Sequence, residues 1–353
     1  EIEAQLKDMI GLFPDDAAPT QMLISMLMSQ GRTDDAEGFL RQQIDPADEG
    51  YSGQMQVVSF LLALKGPEAA IAELDALIAA GVPNVPFYRS SRGSLKFDTG
   101  SRDEGIAELE AVVGTAEDTE DGRRIKVALA RMYQTTGNDD GAKRLVGEVL
   151  ASDPTEIEAL KIRATWLIDE DNPGDALVDL RSALDQSPRD PSLMLLMAQA
   201  HDRSGNSELV PDMLSRAVEA SNNAPQYALR YAEHLAANNQ LLPAEDVLKD
   251  SLKVDSDNIS VLRALGLVYV RLVDRPRLQT VIGSLERVGG VQANAIVNDL
   301  TARMLAAQDR RDELNTFLEG LAQSGEAGLQ ADVAVIQSRL AAGDPSGALT
   351  YVD

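Results

Sequence analysis

A spacing of about 34 residues, repeated from one end of the chain to the other, constrains this sequence more than any other feature, because a fixed period of that length decides an architecture. An anchor position, most often small, recurs at Ala36, Ala70, Gly105, Ala142, Ala176, Val210, Ala244, Leu278, Leu314 and Ala348, in steps of 34, 35, 37, 34, 34, 34, 34, 36 and 34 residues. Four residues beyond each anchor stands an apolar side chain: Leu40, Leu74, Leu109, Val146, Leu180, Leu214, Leu248, Ile282, Leu318 and Val352. That i, i+4 pairing is the buried stripe of an amphipathic helix. Twelve residues before the anchors stand Ile24, Val58, Gly93, Ala130, Ala164, Ala198, Ala232, Gly266, Ala302 and Ile336, and seven of these ten are Gly or Ala. Helices cross closely only where neither brings a bulky side chain to the crossing, so this slot marks where the first helix of each unit meets the second. Five residues before the anchor, Gly31, Gly100, Gly137, Gly205 and Gly343 supply a turn, with Asp171, Asn239 and Asp309 in the same slot. These residue types accept the left-handed backbone that ends a helix. Each unit is therefore predicted to be a helical hairpin.

Composition agrees. A hydrophobic content of 44% over 353 residues is too high for a disordered chain, and with aromatics at only 4% the interior must be built from Leu, Ala, Val, Ile and Met, which suits closely packed helices. The absence of cysteine excludes structural disulfides and thiolate metal sites. A formal charge of −25 repels a phosphate backbone and an anionic membrane surface, so nucleic acid is not an expected partner. The longest apolar runs, such as Val57 to Leu64, fall well short of the roughly 20 residues that span a bilayer, and no direct membrane insertion is expected. The sequence opens on Glu1 rather than Met and stops at Asp353 within a helical pattern, so both ends are expected to be cuts through something longer.

With these residues the chain resembles the tetratricopeptide repeat family, whose 34-residue unit carries small residues at its eighth and twentieth positions and often closes on Pro. The best copy is 123–156, with Leu129, Ala130, Tyr133, Gly137, Ala142, Val146 and Pro154 in the slots that the family fills, and the next copy closes on Pro188. The resemblance implies an all-α fold, a right-handed α-α superhelix of about ten hairpins running as one continuous solenoid over 1–353. Repeats start near 17, 51, 86, 123, 157, 191, 225, 259, 295 and 329. Ile2, Leu6 and Pro14 in 1–16 fit the second helix of a truncated unit, and the last repeat is cut. Lys96, His201 and Arg339 sit where an apolar or aromatic residue is usual, and the copies at 86–122 and 259–294 are degenerate. The segment 81–86 (GVPNVP) and the acidic stretch Glu117 to Asp121 lengthen two loops between repeats.

Motifs for chemistry are missing: no H-E-x-x-H, no G-x-G-x-x-G, no Walker loop and no G-x-S-x-G elbow occurs. The two histidines, His201 and His234, lie about one repeat apart in slots that pack between helices, and Trp166 sits beside a standard packing position. Carboxylates cluster at Asp34-Asp35, Asp139-Asp140 and Asp169-Glu170-Asp171, where turns and helix starts are expected and acids cap amides. No enzyme activity, cofactor or metal is expected.

Helix periodicity fixes which slots of the first helix point inward, and slots 2, 5, 6, 9, 12 and 13 of each unit are taken as the inner wall on which such arrays bind partners. In the first three units this wall is neutral apart from Asp98, with Met28, Met55, Phe87 and Phe97 among serines. From the fourth unit it gains Arg124, Arg131, Lys161, Arg203, Arg230, Arg263, Arg271 and Arg303 against Glu158, Asp169, Asp202, Glu233 and Asp299. These slots thus escape the acidity of the rest of the chain. Arginines there would accept carboxylates or carbonyls of a bound protein or peptide, while Met and Phe supply adaptable apolar contact. The expected function is a protein-binding scaffold, in a bacterial envelope, exopolysaccharide or assembly system as the resemblance and the use of Arg for 24 of 32 basic residues suggest. The alternatives are a docking or regulatory arm of a larger enzyme, or a cytoplasmic address, with self-association through the repeat ends as a further partner.

Overall fold

The computed structural model describes residues 2–13, 16–44, 51–115 and 118–324. Repeat ten, with Ile336, Arg339, Gly343, Ala348 and Val352, lies outside the described residues, as do Pro14 and Glu117. The described residues hold nineteen α-helices and no strand. They divide into two compact units after Ala159. In the first, α1 (Ile2–Leu12) packs on the hairpin of α2 (Ala17–Ser29) and α3 (Thr33–Gln42), and three more hairpins follow: α4 (Ser52–Lys65) with α5 (Pro67–Ala80), α6 (Val85–Asp98) with α7 (Arg102–Val113), and α8 (Glu120–Thr136) with α9 (Asp139–Ser152). The second is entered through α10 (Ile157–Asp169), paired with α11 (Pro173–Gln186). It continues with α12 (Pro191–Arg203) and α13 (Val210–Ala220), α14 (Pro225–Ala237) and α15 (Leu241–Val254), α16 (Ile259–Arg271) and α17 (Arg275–Val288), and α18 (Gly290–Ala307) and α19 (Arg311–Ser324). First helices of successive hairpins lie side by side, α6 against α8 in one unit and α14 against α16 against α18 in the other.

The anchors explain why the hairpins close. Ala36, Ala70, Ala142, Ala176 and Ala244 are wholly inaccessible, and every described residue four positions on, from Leu40 to Leu318, is buried. The small slot of the first helix faces them. In the third hairpin the crossing is closest: a Cβ on Gly105 would come within 2.5 Å of the Gly93 carbonyl oxygen, and one on Gly93 within 3.0 Å of the Gly105 carbonyl. The degenerate copy at 86–122 is therefore a hairpin whose backbones touch. Gly266 differs, because the space it leaves is taken by Leu300 of the next first helix. Two ion pairs repeat in register across the hairpin, thirteen residues before the anchor to three after it: Arg92 on Glu108 at 3.1 and 3.2 Å, and Arg163 on Asp179 at 2.7 Å from each of two nitrogens. Glu108 and Asp179 are buried, so each guanidinium lies over a carboxylate that would otherwise be costly to desolvate.

The turns share one geometry. Residues 31, 100, 137, 171, 205, 239, 273 and 309 all have positive φ, between 54° and 106°. After each, the next amide donates back to the carbonyl five residues earlier, as in Arg32 to Leu27, Asn138 to Tyr133 and Asp274 to Tyr269, over 2.7–3.0 Å. This is the Schellman closure of a helix end. The sequence names a turn residue for seven of these eight positions; the eighth is Val273, a β-branched residue held at φ 54°. The second hairpin is tighter, with Gly66 alone (φ 87°) between α4 and Pro67, which opens α5.

Packing is local, as an array requires. The first unit holds separate small cores, Leu6 with Leu23, Leu27 and Ala36, then Leu40 with Val57 and Leu61, then Val58 with Ala70, Leu74 and Tyr88. In the second unit a larger core runs from Ala232 to Met304.

Two outcomes are expected. Leu in place of Ala130 or Ala198, which are 0% and 2% exposed, overpacks a helix crossing and lowers stability by about 1–3 kcal/mol, measured by denaturant unfolding. Val273→Gly relieves the left-handed strain and raises stability by about 1 kcal/mol in the same measurement, whereas Gly137→Val lowers it.

Candidate partner-binding grooves

The first helices of three consecutive hairpins in the second unit enclose a groove of about 860 Å³ between α14, α16 and α18. Its floor is apolar, with Leu229, Ala264, Leu267, Val270 and Ile296, and its charged lining is Glu233, Arg263, Arg271 and Arg303. Of its 18 lining residues 13 occupy the inner-wall slots, because slots two, five, six, nine, twelve and thirteen are the ones that α-helical periodicity turns to one side. In the first unit α4, α6 and α8 form a smaller groove of about 370 Å³, lined by Met55, Ser59, Leu62, Phe87, Ser90, Ser91, Ser94, Asp98 and Arg124 among others. One end is tied together: the Tyr51 ring stacks on Phe87 with centroids 3.7 Å apart, and Arg124 donates to the Tyr51 hydroxyl, which in turn donates to Asp121 at 3.2 Å. A third hollow, between α1 and α3, is lined by charge, with Arg32 joining Glu3 and Asp35 at 2.7 and 2.6 Å. Hydrogen bonds from Arg32 and Lys7 hold the Glu3 carboxyl down at about 2.

Six of the expected wall residues therefore line a groove: Met55, Phe87 and Arg124 in one unit, Arg263, Arg271 and Arg303 in the other. The other six line neither of these two grooves. Phe97 is 8% exposed and turns into its own hairpin, against the room that Gly105 leaves on α7. Met28 packs on the Leu6, Leu23 and Leu27 core. Arg131 pairs with Glu158, Lys161 lies 2.5 Å from Asp190, Arg203 3.4 Å from Asp171, and Arg230 3.5 Å from Glu233. On an acidic chain the nearest carboxylate competes for each cation, and slot counting does not register that competition.

Two tyrosines that lie between helices also have displaced titration. Burial and then the hydrogen bond to Glu110 push the Tyr133 hydroxyl up to about 12, and burial with Glu245 does the same to Tyr269. Tyr269 donates to the buried Glu245 at 3.1 Å, Arg277 reaches the same carboxylate at 2.5 Å, and its guanidinium lies 5.0 Å from the centre of the Tyr269 ring. That cluster, which spacing alone did not reveal, ties α15, α16 and α17 together. Among the described residues no group of three or more His, Asp or Glu side chains is placed to hold a metal ion, and no helix is long and apolar enough to cross a membrane. Trp166 is half-buried on α10.

No family model matches the sequence, and no curated protein does. Among solved structures the chain is similar to PilW, described as a widely conserved type IV pilus biogenesis factor, at 15% identity over 58% of this chain and 93% of that one, with a TM-score of 0.49. It is similar to a tetratricopeptide repeat protein from Parabacteroides merdae at 14% identity over 72% and 98%, and to Pseudomonas aeruginosa PilF at 16% over 63% and 96%, each with a TM-score of 0.47. The tetratricopeptide-like fold rests on the register of hairpins, anchors and turns described above.

His201 stands in a packing slot of α12, 6% exposed, and its Nδ1 has no hydrogen-bond partner among the described residues. Burial, and then the nearby Arg181, lower its titration below the ordinary histidine range, against Glu208. Folding thus favours the neutral ring. The stability it contributes is complete above about pH 6.5 and is lost as the pH falls below that value. His201→Phe is expected to flatten the decline in melting temperature between pH 7 and 5; a decline as steep as in the parent shows that the ring is not its cause.

Proposed function

We propose that this chain is a scaffold that holds partner proteins in the grooves of its first helices. One observation carries the reading: inward slots chosen by helical period coincide with the lining of two concave, largely apolar grooves, and solvent-facing apolar concavities rimmed by a few polar groups are where ligands bind. The carboxylates support it from the other side. Buried Glu108, Asp179 and Glu245 are each tied to an arginine between helices, so none is directed into a groove as a free acid or base. The setting proposed with it is a bacterial envelope or assembly system, for which the preference for arginine over lysine and the family resemblance speak.

A photo-activatable residue placed at Ala306 or Ser59, which line the two grooves, tests this in the source cell against the same residue at Asp246 on α15 and Asp103 on α7. Discrete protein adducts are expected from the groove positions and not from the second helices. No adducts, or the same adducts from all four positions, would sink the scaffold reading.

A further inference from the structure

The lining of the larger groove specifies what it takes. We infer that the groove of α14, α16 and α18 binds an acidic segment of a partner protein, in extended form, with two carboxylates about four residues apart and apolar side chains between them. This rests on the scaffold reading and narrows it to one groove and one ligand chemistry.

The chain carries 57 acidic residues against 32 basic ones, so a guanidinium on its surface ordinarily finds a carboxylate. Among the described residues, two in this groove have none. Arg263 makes no ion pair or hydrogen bond among the described residues, in contrast to Arg303 beside it, which is paired with Asp299 at 2.7 Å. Arg271 is held by neutral acceptors, the Ala236 carbonyl oxygen at 2.6 Å and the Asn239 side-chain oxygen at 3.3 Å, which fix its planar head and leave its charge uncompensated. Among the described residues that line it, Glu233 is the only acidic one. With Asp299 counted against Arg303, three arginines face two carboxylates, so the groove is locally positive by one charge on a chain of net charge −25. That is complementary to a carboxylate ligand and to no cation.

The spacing follows from α16. Arg263 and Arg271 are eight residues apart, about 12 Å along the axis at 1.5 Å per residue, which is about four residues of extended chain at 3.3 Å each. Between them the floor offers Leu267 and Ile296, so side chains between the two acids would be apolar. A guanidinium that meets a carboxylate over such a floor forms a charge-assisted pair, and water is partly excluded from it. Repulsion from the acidic remainder of the chain works against the same ligand, and is largely screened beyond about 8 Å at physiological salt. Added salt weakens both effects, so charge substitution is the sharper probe.

The probe is a fluorescent peptide with glutamates four residues apart and leucines between them, titrated against the full chain by polarisation. It is expected to bind, to bind about tenfold more weakly when its glutamates become glutamines, and to lose affinity when its leucines become serines. Arg263→Glu, at a side chain that touches no acid, and Arg271→Gln should each weaken the parent peptide about tenfold with helicity and melting unchanged, while Arg287→Glu on α17 leaves it alone. Absence of binding by the parent peptide, equal binding of the glutamine peptide, or indifference to Arg263→Glu overturns the inference. Adducts from Ala306 that map to a neutral or basic partner segment overturn it too, and leave the scaffold reading standing.

Discussion

Everything in this protein depends on the close crossing of two helices within each hairpin. An alanine or glycine on at least one side lets the backbones approach, and the apolar residue one turn beyond the anchor then seals the contact against water. Gly93 against Gly105 is the limiting case, where the two carbonyls occupy the room of a methyl group. Since the same contact recurs at one spacing, the same face of every first helix is left over. That remaining face is the wall of the grooves.

The turns add direction to this packing. A left-handed residue followed by a bond from the next amide to the carbonyl five residues back reverses the chain within a few residues and leaves few orphan carbonyls. Glycine, asparagine and aspartate adopt that backbone readily. Val273 does not, and it is held there because α16 and α17 on either side of it are packed into the core that runs from Ala232 to Met304. Tertiary packing thus imposes a geometry that the residue alone would refuse.

Charge is organised in two different ways. Between helices, acids that would suffer from desolvation are each covered by an arginine or a tyrosine hydroxyl: Glu108, Asp179 and Glu245 in the buried positions, Glu110 at a tyrosine. On the inward faces the pattern is looser, and some cations there serve only to join neighbouring elements. Lys161 on Asp190 is such a case, since Asp190 also caps the start of α12 through the amides of Ser192 and Leu193. In the groove of the second unit, Arg263 and Arg271 have no carboxylate partner among the described residues.

The sequence by itself determined the period, the hairpin, the turn positions and which slots of the first helices face one side, since these follow from helical geometry and from which residues lack bulk. It therefore located Arg263, Arg271 and Arg303 on one wall without any coordinates. Only the tertiary structure decided what each wall residue meets within the chain. Phe97 turned inward because Gly105 left a space, Arg131 met Glu158 across 27 residues, and Tyr51 reached Asp121 across 70. Such outcomes depend on distances between residues far apart in the chain, and a periodic pattern fixes the direction of a side chain without fixing what it meets there.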